Sequence, residues 1–82
     1  MNPHKLVKMV NEIANFFEAE PDRNVVLEGV AGHLKRFWDP RMRREIVQYV
    51  DEQGGAGLNE TALLAIRTHR DKLLPRGTPG SR

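Results

Sequence analysis

Apolar residues recur at three- and four-residue spacing along most of this chain, and that spacing constrains the fold more than any other feature. The first such series comprises Leu6, Met9, Val10, Ile13, Phe16 and Phe17. The second series comprises Val26, Val30, Leu34 and Phe37. Side chains spaced in this way share one face of a helix, and no segment shows the strict alternation that is typical of a strand. The pattern therefore predicts an all-α protein.

Helix-capping residues and glycines divide the chain into four segments. Asn2, Asp39 and Asn59 are placed to accept hydrogen bonds from first-turn amides, and Pro3 and Pro40 suit the first helical position. We expect helices at about 3–19, 22–37, 40–53 and 60–74.

Connections of about three to six residues between these helices favour a compact bundle of about four short helices. We expect residues 1–74 to form a single helical domain. Residues 75–82 contain no apolar side chain that could be buried, so we expect a flexible, disordered C-terminal tail.

Two glycines interrupt the second predicted helix. Gly29 and Gly32 each lower helix propensity by roughly 1 kcal/mol relative to alanine. We interpret them as positions of close approach to the bulky region of Phe16 and Phe17.

The residue types needed for most catalytic or metal sites are sparse. The 82 residues include no cysteine, the single serine is Ser81, and His4, His33 and His69 fall on three different predicted helices. We therefore expect no catalytic residue, no metal site and no cofactor-binding site. The chain shows no signal peptide and no apolar segment of membrane-spanning length, so we expect a cytoplasmic protein that does not bind membranes.

Charge is distributed in blocks. Residues 35–44 contain five basic residues and one acidic residue, whereas residues 45–66 contain four acidic residues and no lysine or arginine. Alternating blocks differ from the continuous basic stripe of a nucleic-acid-binding protein, so nucleic acid is an unlikely partner.

The segment around the third helix start combines aromatic and cationic side chains. Three arginines near a helix N-terminus oppose the helix dipole, and an acidic partner surface would offset that cost. Aromatic residues are common anchors of interfaces. The predicted partner-binding residues are Arg36, Phe37, Trp38, Asp39, Pro40, Arg41, Arg43 and Arg44. The alternative interpretation is that Phe37 and Trp38 are core residues and that Asp39 and Glu45 neutralise much of the charge.

Three stretches give the chain a resemblance to a known family. They are Met9–Phe17, His33–Arg43 and the turn Gly54–Leu58, within a region of about residues 6–65. In these stretches the chain resembles the delta subunits of soluble, NAD-dependent, molybdenum- or tungsten-containing formate dehydrogenases of bacteria.

The resemblance implies a small accessory subunit without a cofactor that associates with the large catalytic subunit. It also implies a role in assembly or stability of the enzyme, or in insertion of its molybdenum cofactor, while catalysis belongs to other chains. From the residues we expect Phe37 and Trp38 to insert into an apolar groove of that subunit while the arginines meet acidic groups around it.

Two alternatives stay open. A helical adaptor could bind nucleic acid or another polyanion through Arg36–Arg44 and Arg67–Arg76, with an affinity that falls steeply with salt. A transient chaperone of the catalytic subunit would differ from a permanent subunit in stoichiometry.

Overall fold

The computed structural model describes residues 2–74, and this part of the chain consists of helices joined by short turns without a strand. The helices are α1 (Pro3–Phe17), α2 (Arg23–Phe37), α3 (Pro40–Gln53), α4 (Glu60–Thr68) and α5 (Arg70–Leu73). The predicted all-α class is confirmed. The expected tail at 75–82 lies outside the described residues, so the division into a domain at 1–74 and a tail stays a prediction.

Side-chain caps start the four longer helices. The side-chain oxygens of Asn2, Asp22, Asp39 and Asn59 each accept a hydrogen bond of 2.8–2.9 Å from an amide of the following turn. Each bond satisfies an amide that would otherwise lack a partner in the first turn. The caps predicted at Asn2, Asp39 and Asn59 are confirmed, and the cap at Asp22 sets the start of α2.

The predicted fourth helix is interrupted, which corrects the single helix expected at 60–74. His69 ends α4 with φ −110° and ψ 27°, and its carbonyl then accepts from the amide of Lys72 at 3.0 Å to begin α5. The change of direction leaves Leu73 fully buried and brings Arg70 to Asp51 on α3, at 2.6 Å. The hydrogen bond from Arg70 lowers the pKa of the Asp51 carboxyl group.

The core lies where α1, α2, α3 and α4 meet. Its fully buried large side chains are Leu6, Val10, Val30, Leu34, Ile46, Val47, Ile66 and Leu73. Full burial of an aliphatic side chain of this kind contributes about 1.5–3 kcal/mol to folding, so this set dominates the stabilisation of the fold.

Polar contacts fix the position of α4 against the first two helices. The Asn11 side chain donates to the Gly57 carbonyl at 3.0 Å and accepts from the Asn59 amide at 2.8 Å. The buried Thr61 hydroxyl donates to the Glu18 carboxylate and accepts from the Arg23 guanidinium at 2.9 Å. The end of α1 and the start of α2 are therefore joined to the start of α4.

Glycines shape the turn between α3 and α4. Gly54 ends α3 in the left-handed conformation with φ 73°, which glycine adopts without steric strain. Gly55 follows with φ 72°, and a Cβ atom there would lie 2.7 Å from Leu63 and 3.1 Å from Leu58. The two leucines therefore pack against a backbone that leaves no room for a side chain.

Candidate partner-binding groove

An open apolar groove of about 590 Å³ runs between α1 and the corner that joins α2 to α3. We call it the aromatic groove. It is lined by Met9, Glu12, Ile13, Phe16, Phe17, His33, Phe37, Trp38 and Met42. The α1 residues occupy one wall because they recur at three- and four-residue spacing on one side of that helix.

Two phenylalanine rings of the aromatic groove are largely open to solvent. The exposed fraction is 75% for Phe16 on α1 and 69% for Phe37 at the end of α2. Single exposed apolar residues are ordinary, but two exposed rings that share one apolar groove make it a candidate binding surface. These two residues are the strongest candidates for partner anchors.

Four rings form a continuous row across the two helices. Phe16 and Phe17 meet edge to face with ring centroids 5.2 Å apart, and Phe17 meets His33 at 6.4 Å. His33 meets Phe37 at 4.7 Å with the ring planes tilted by 44°. Contacts of this kind restrict the motion of each ring. The surface is therefore partly ordered before any partner binds.

The close approach predicted at the glycines of α2 is confirmed at Gly29. A Cβ atom on Gly29 would lie 2.6 Å from Cδ1 of Phe17, so the α1 ring occupies the space that a side chain would need. The prediction is wrong for Gly32, because no atom lies within 4 Å of the position its Cβ would take.

The space above Gly32 belongs to a second groove of about 310 Å³, which we call the glycine groove. Its lining residues are Phe17, Glu28, Gly29, Gly32, His33, Arg36 and Phe37. Because Phe17, His33 and Phe37 line both grooves, the two grooves adjoin along the row of rings.

Trp38 is a core residue, which corrects the expectation that its indole inserts into a partner. Only 6% of Trp38 is exposed, and the residue belongs to the core cluster. Its amide makes a hydrogen bond of 3.0 Å to the Leu34 carbonyl, and its extended backbone ends α2. The preceding residue, Phe37, stays largely exposed. Trp38 therefore forms part of the groove wall.

The predicted arginines do not gather around the aromatic groove. Arg36 lines the glycine groove, whereas Arg41, Arg43 and Arg44 line neither groove. Arg41 and Arg44 are exposed. Arg43 is partly buried, and its Nε has no hydrogen-bond partner among the described residues.

The remaining predicted residues, Asp39 and Pro40, form the start of α3. The Asp39 carboxylate accepts from the Met42 amide, and Pro40 occupies the first turn. The eight predicted residues therefore do not line a common groove, and their role in partner binding stays a prediction.

The α1 wall of the aromatic groove was not predicted from the sequence. Phe16 and Phe17 are adjacent, and two adjacent residues of one helix lie about 100° apart around its axis. This pair was a signal that one ring would remain outside the core. Met9, Glu12 and Ile13 were assigned to α1 without a role at the surface.

Among residues 2–74, no three His, Cys, Asp or Glu side chains are grouped so that they could hold a metal ion. None of the helices described here has the length and apolar character needed to cross a membrane.

Comparison with known proteins adds one match. The model of the NADH-dependent formate dehydrogenase delta subunit family, FdsD, matches residues 5–66. The matched region includes α2, α3 and most of α1 and α4, and with them every residue that lines the two grooves. No curated protein and no solved structure matches the chain.

Proposed function

Because this chain belongs to the NADH-dependent formate dehydrogenase delta subunit family, we propose that it is a non-catalytic accessory subunit that binds the large catalytic subunit of that enzyme. The contact surface is the aromatic groove, with Phe16 and Phe37 as anchors. In this role the protein supports assembly or stability of the enzyme or insertion of its molybdenum cofactor, and it acts in the cytoplasm.

The exposure of Phe16 and Phe37 on one groove is the observation that carries this proposal. Transfer of apolar surface from water into a protein contact is favourable by about 25 cal/mol per Å². Aromatic anchors near the centre of an interface often contribute 2 kcal/mol or more each. Arginine side chains at a rim contribute mainly to orientation and to the rate of encounter.

The test compares two double variants of the tagged protein co-expressed with the other formate dehydrogenase subunits. Phe16→Ala/Phe37→Ala removes both anchors. The matched control is Val25→Ala/Leu64→Ala, which truncates two apolar residues that are 45% and 40% exposed and line neither groove.

We expect the anchor variant to retain its helical content and to bind the catalytic subunit at least tenfold more weakly, since about 1.4 kcal/mol corresponds to a factor of ten. The control variant binds like the unchanged protein. Equal co-purification of both variants would contradict the assignment of the groove, and failure of the unchanged protein to bind would contradict the accessory role.

The polyanion-binding alternative is favoured by one observation, which is the exposure of Arg36, Arg41 and Arg44 on consecutive helices. Binding of this type weakens strongly with salt because condensed counterions are released from the nucleic acid. A titration with duplex DNA at low and high salt tests it. Affinity that persists only at low salt and does not depend on Arg36 or Arg41 would exclude a dedicated site.

A further inference from the structure

The backbone of the two grooves offers no edge to which an extended peptide could pair. Residues 2–74 contain helices and turns without a strand, and the groove walls come from α1, α2 and the start of α3. A peptide that binds by strand addition gains most of its affinity from backbone hydrogen bonds to an open sheet edge. Recognition in these grooves therefore depends on side chains, and a helix presents a ridge of side chains with its own backbone already hydrogen-bonded.

The shape of the surface suits such a ridge. The aromatic and glycine grooves adjoin along Phe17, His33 and Phe37, so the apolar surface extends from α1 to Gly32 on α2. The open space at Gly32 permits close approach of a second backbone. Met9 and Met42 have flexible, polarizable side chains that adapt to the shape of a partner ridge.

The charged residues that line the two grooves indicate how a bound helix would be oriented. Arg36 lines the glycine groove at the end of α2, and it belongs to the segment 35–44, which has five basic residues. The one acidic residue of that segment, Asp39, is engaged as the cap of α3. Glu12 lies on the α1 side, in the aromatic groove. Glu28 also lines the glycine groove, about two turns before Arg36 on α2. An occupant with a carboxylate near Arg36 and without one near Glu12 or Glu28 complements this arrangement.

The C-terminal segment of the chain itself lacks the chemistry for this site. Residues 75–82 read Pro-Arg-Gly-Thr-Pro-Gly-Ser-Arg, which includes no large apolar side chain and two arginines that would face Arg36. A helix from a partner can carry large apolar side chains and need not place arginines opposite Arg36.

We propose that the two adjoining grooves bind an amphipathic helix of another formate dehydrogenase subunit. Its apolar ridge lies between Phe16 and Phe37, and it places an acidic side chain against Arg36. This inference rests on the proposed function, since it names the element through which the partner is held.

Site-specific photo-cross-linking in the assembled enzyme tests the nature of the occupant. A benzophenone amino acid replaces Phe16 or Phe37 in the co-expressed chain, and Val25 or Leu64 in the controls, because all four residues are exposed. Cross-linked peptides are then mapped by mass spectrometry. A helical occupant gives cross-links from the two groove positions to partner residues spaced by three, four or seven, and the controls give no cross-link to that segment.

The possible outcomes separate the two proposals. Cross-links at alternate partner residues, cross-links scattered over a loop, or cross-links to a second copy of this chain would overturn the helix assignment while the accessory role stands. Assembly of the enzyme without any cross-link from positions 16 and 37 would overturn both the groove assignment and this inference. Absence of assembly would reject the accessory role itself.

A charge reversal provides an independent measurement. Arg36→Glu is compared with Lys35→Glu, because both residues are exposed in the last turn of α2 but only Arg36 lines a groove. Both changes alter the net charge equally and oppose the helix dipole equally. We expect Arg36→Glu to weaken binding on the order of tenfold more than Lys35→Glu. Equal effects of the two changes would overturn the contact with Arg36.

Discussion

The Phe17 ring of α1 lies directly against the backbone of Gly29 on α2, where a Cβ atom would be only 2.6 Å from the ring. This contact positions the row of rings from Phe16 to Phe37, because Phe17 is the member that touches both Phe16 and His33. A glycine that weakens α2 in isolation is therefore required for the packing of α1 against α2.

Substitution of the two glycines of α2 should have opposite effects. Gly29→Ala forces the Phe17 ring to move, and we expect a loss of about 1–3 kcal/mol in the free energy of unfolding. Gly32→Ala meets open space, so the higher helix propensity of alanine should raise stability by up to about 1 kcal/mol. Urea denaturation followed by circular dichroism measures both. A stability loss at Gly32 equal to that at Gly29 would contradict the packing described.

Truncation of the neighbouring aromatic residues at the end of α2 should separate a core role from a surface role. Trp38→Ala should lower the free energy of unfolding by about 3–5 kcal/mol, because it leaves a cavity in the core. Phe37→Ala should lower it by less than about 1 kcal/mol, because that ring is mostly solvated. Thermal unfolding of the two variants provides the comparison, and similar melting temperatures would argue against burial of Trp38.

The buried hydroxyl of Thr61 should contribute to stability through its two partners. Thr61→Val keeps the shape of the side chain but removes the contacts with Glu18 and Arg23, which should lower the free energy of unfolding by about 1–3 kcal/mol. Thr68→Val on the same helix is the control, because Thr68 is exposed. Equal stability of the two variants would show that the Thr61 contacts add nothing.

The ion pair between Asp51 and Arg70 predicts a pH-dependent difference in stability. The hydrogen bond from Arg70 lowers the pKa of Asp51 in the folded chain below its ordinary value of 3.8. A lowered carboxyl pKa stabilises the folded state above the unfolded pKa, and this contribution disappears as pH falls through the folded pKa. The side chains are 44% and 38% exposed, so solvent screening limits the contribution to less than about 1 kcal/mol.

Asp51→Asn should therefore be slightly less stable than the unchanged protein near neutral pH, and the difference in stability should become smaller at about pH 2. Urea denaturation at the two pH values measures the difference. The double variant Asp51→Asn/Arg70→Gln should have the same free energy of unfolding as Asp51→Asn, because the ion pair is already absent from the single variant. A difference that persists unchanged at low pH would contradict the assignment to this pair.

The helices and their starts could be predicted from the sequence because both depend on local chemistry. The series from Leu6 to Phe17 identifies a helix by its spacing, and Asp39 and Asn59 mark helix starts because a cap bonds within its own turn. The left-handed conformation of Gly54 also depends on local chemistry, because it follows from the residue type at the end of α3.

The groove could not be predicted because it depends on how separate helices cross. Spacing placed Phe37 on the apolar face of α2, but no other helix within residues 2–74 covers that end of the face, so the ring remains exposed. The interruption at His69 has a similar origin, since it follows from the positions of Leu73 and Arg70 relative to α3 and the core. The burial of Trp38 with the exposure of Phe37 is likewise a consequence of the corner between α2 and α3.

The chain contains a single tryptophan, and it forms part of the wall of the aromatic groove. An occupant of the groove changes the polarity around the indole edge, so intrinsic fluorescence at this one position reports occupancy without a label. Binding at the aromatic groove can therefore be followed in the unlabelled protein by the fluorescence of Trp38.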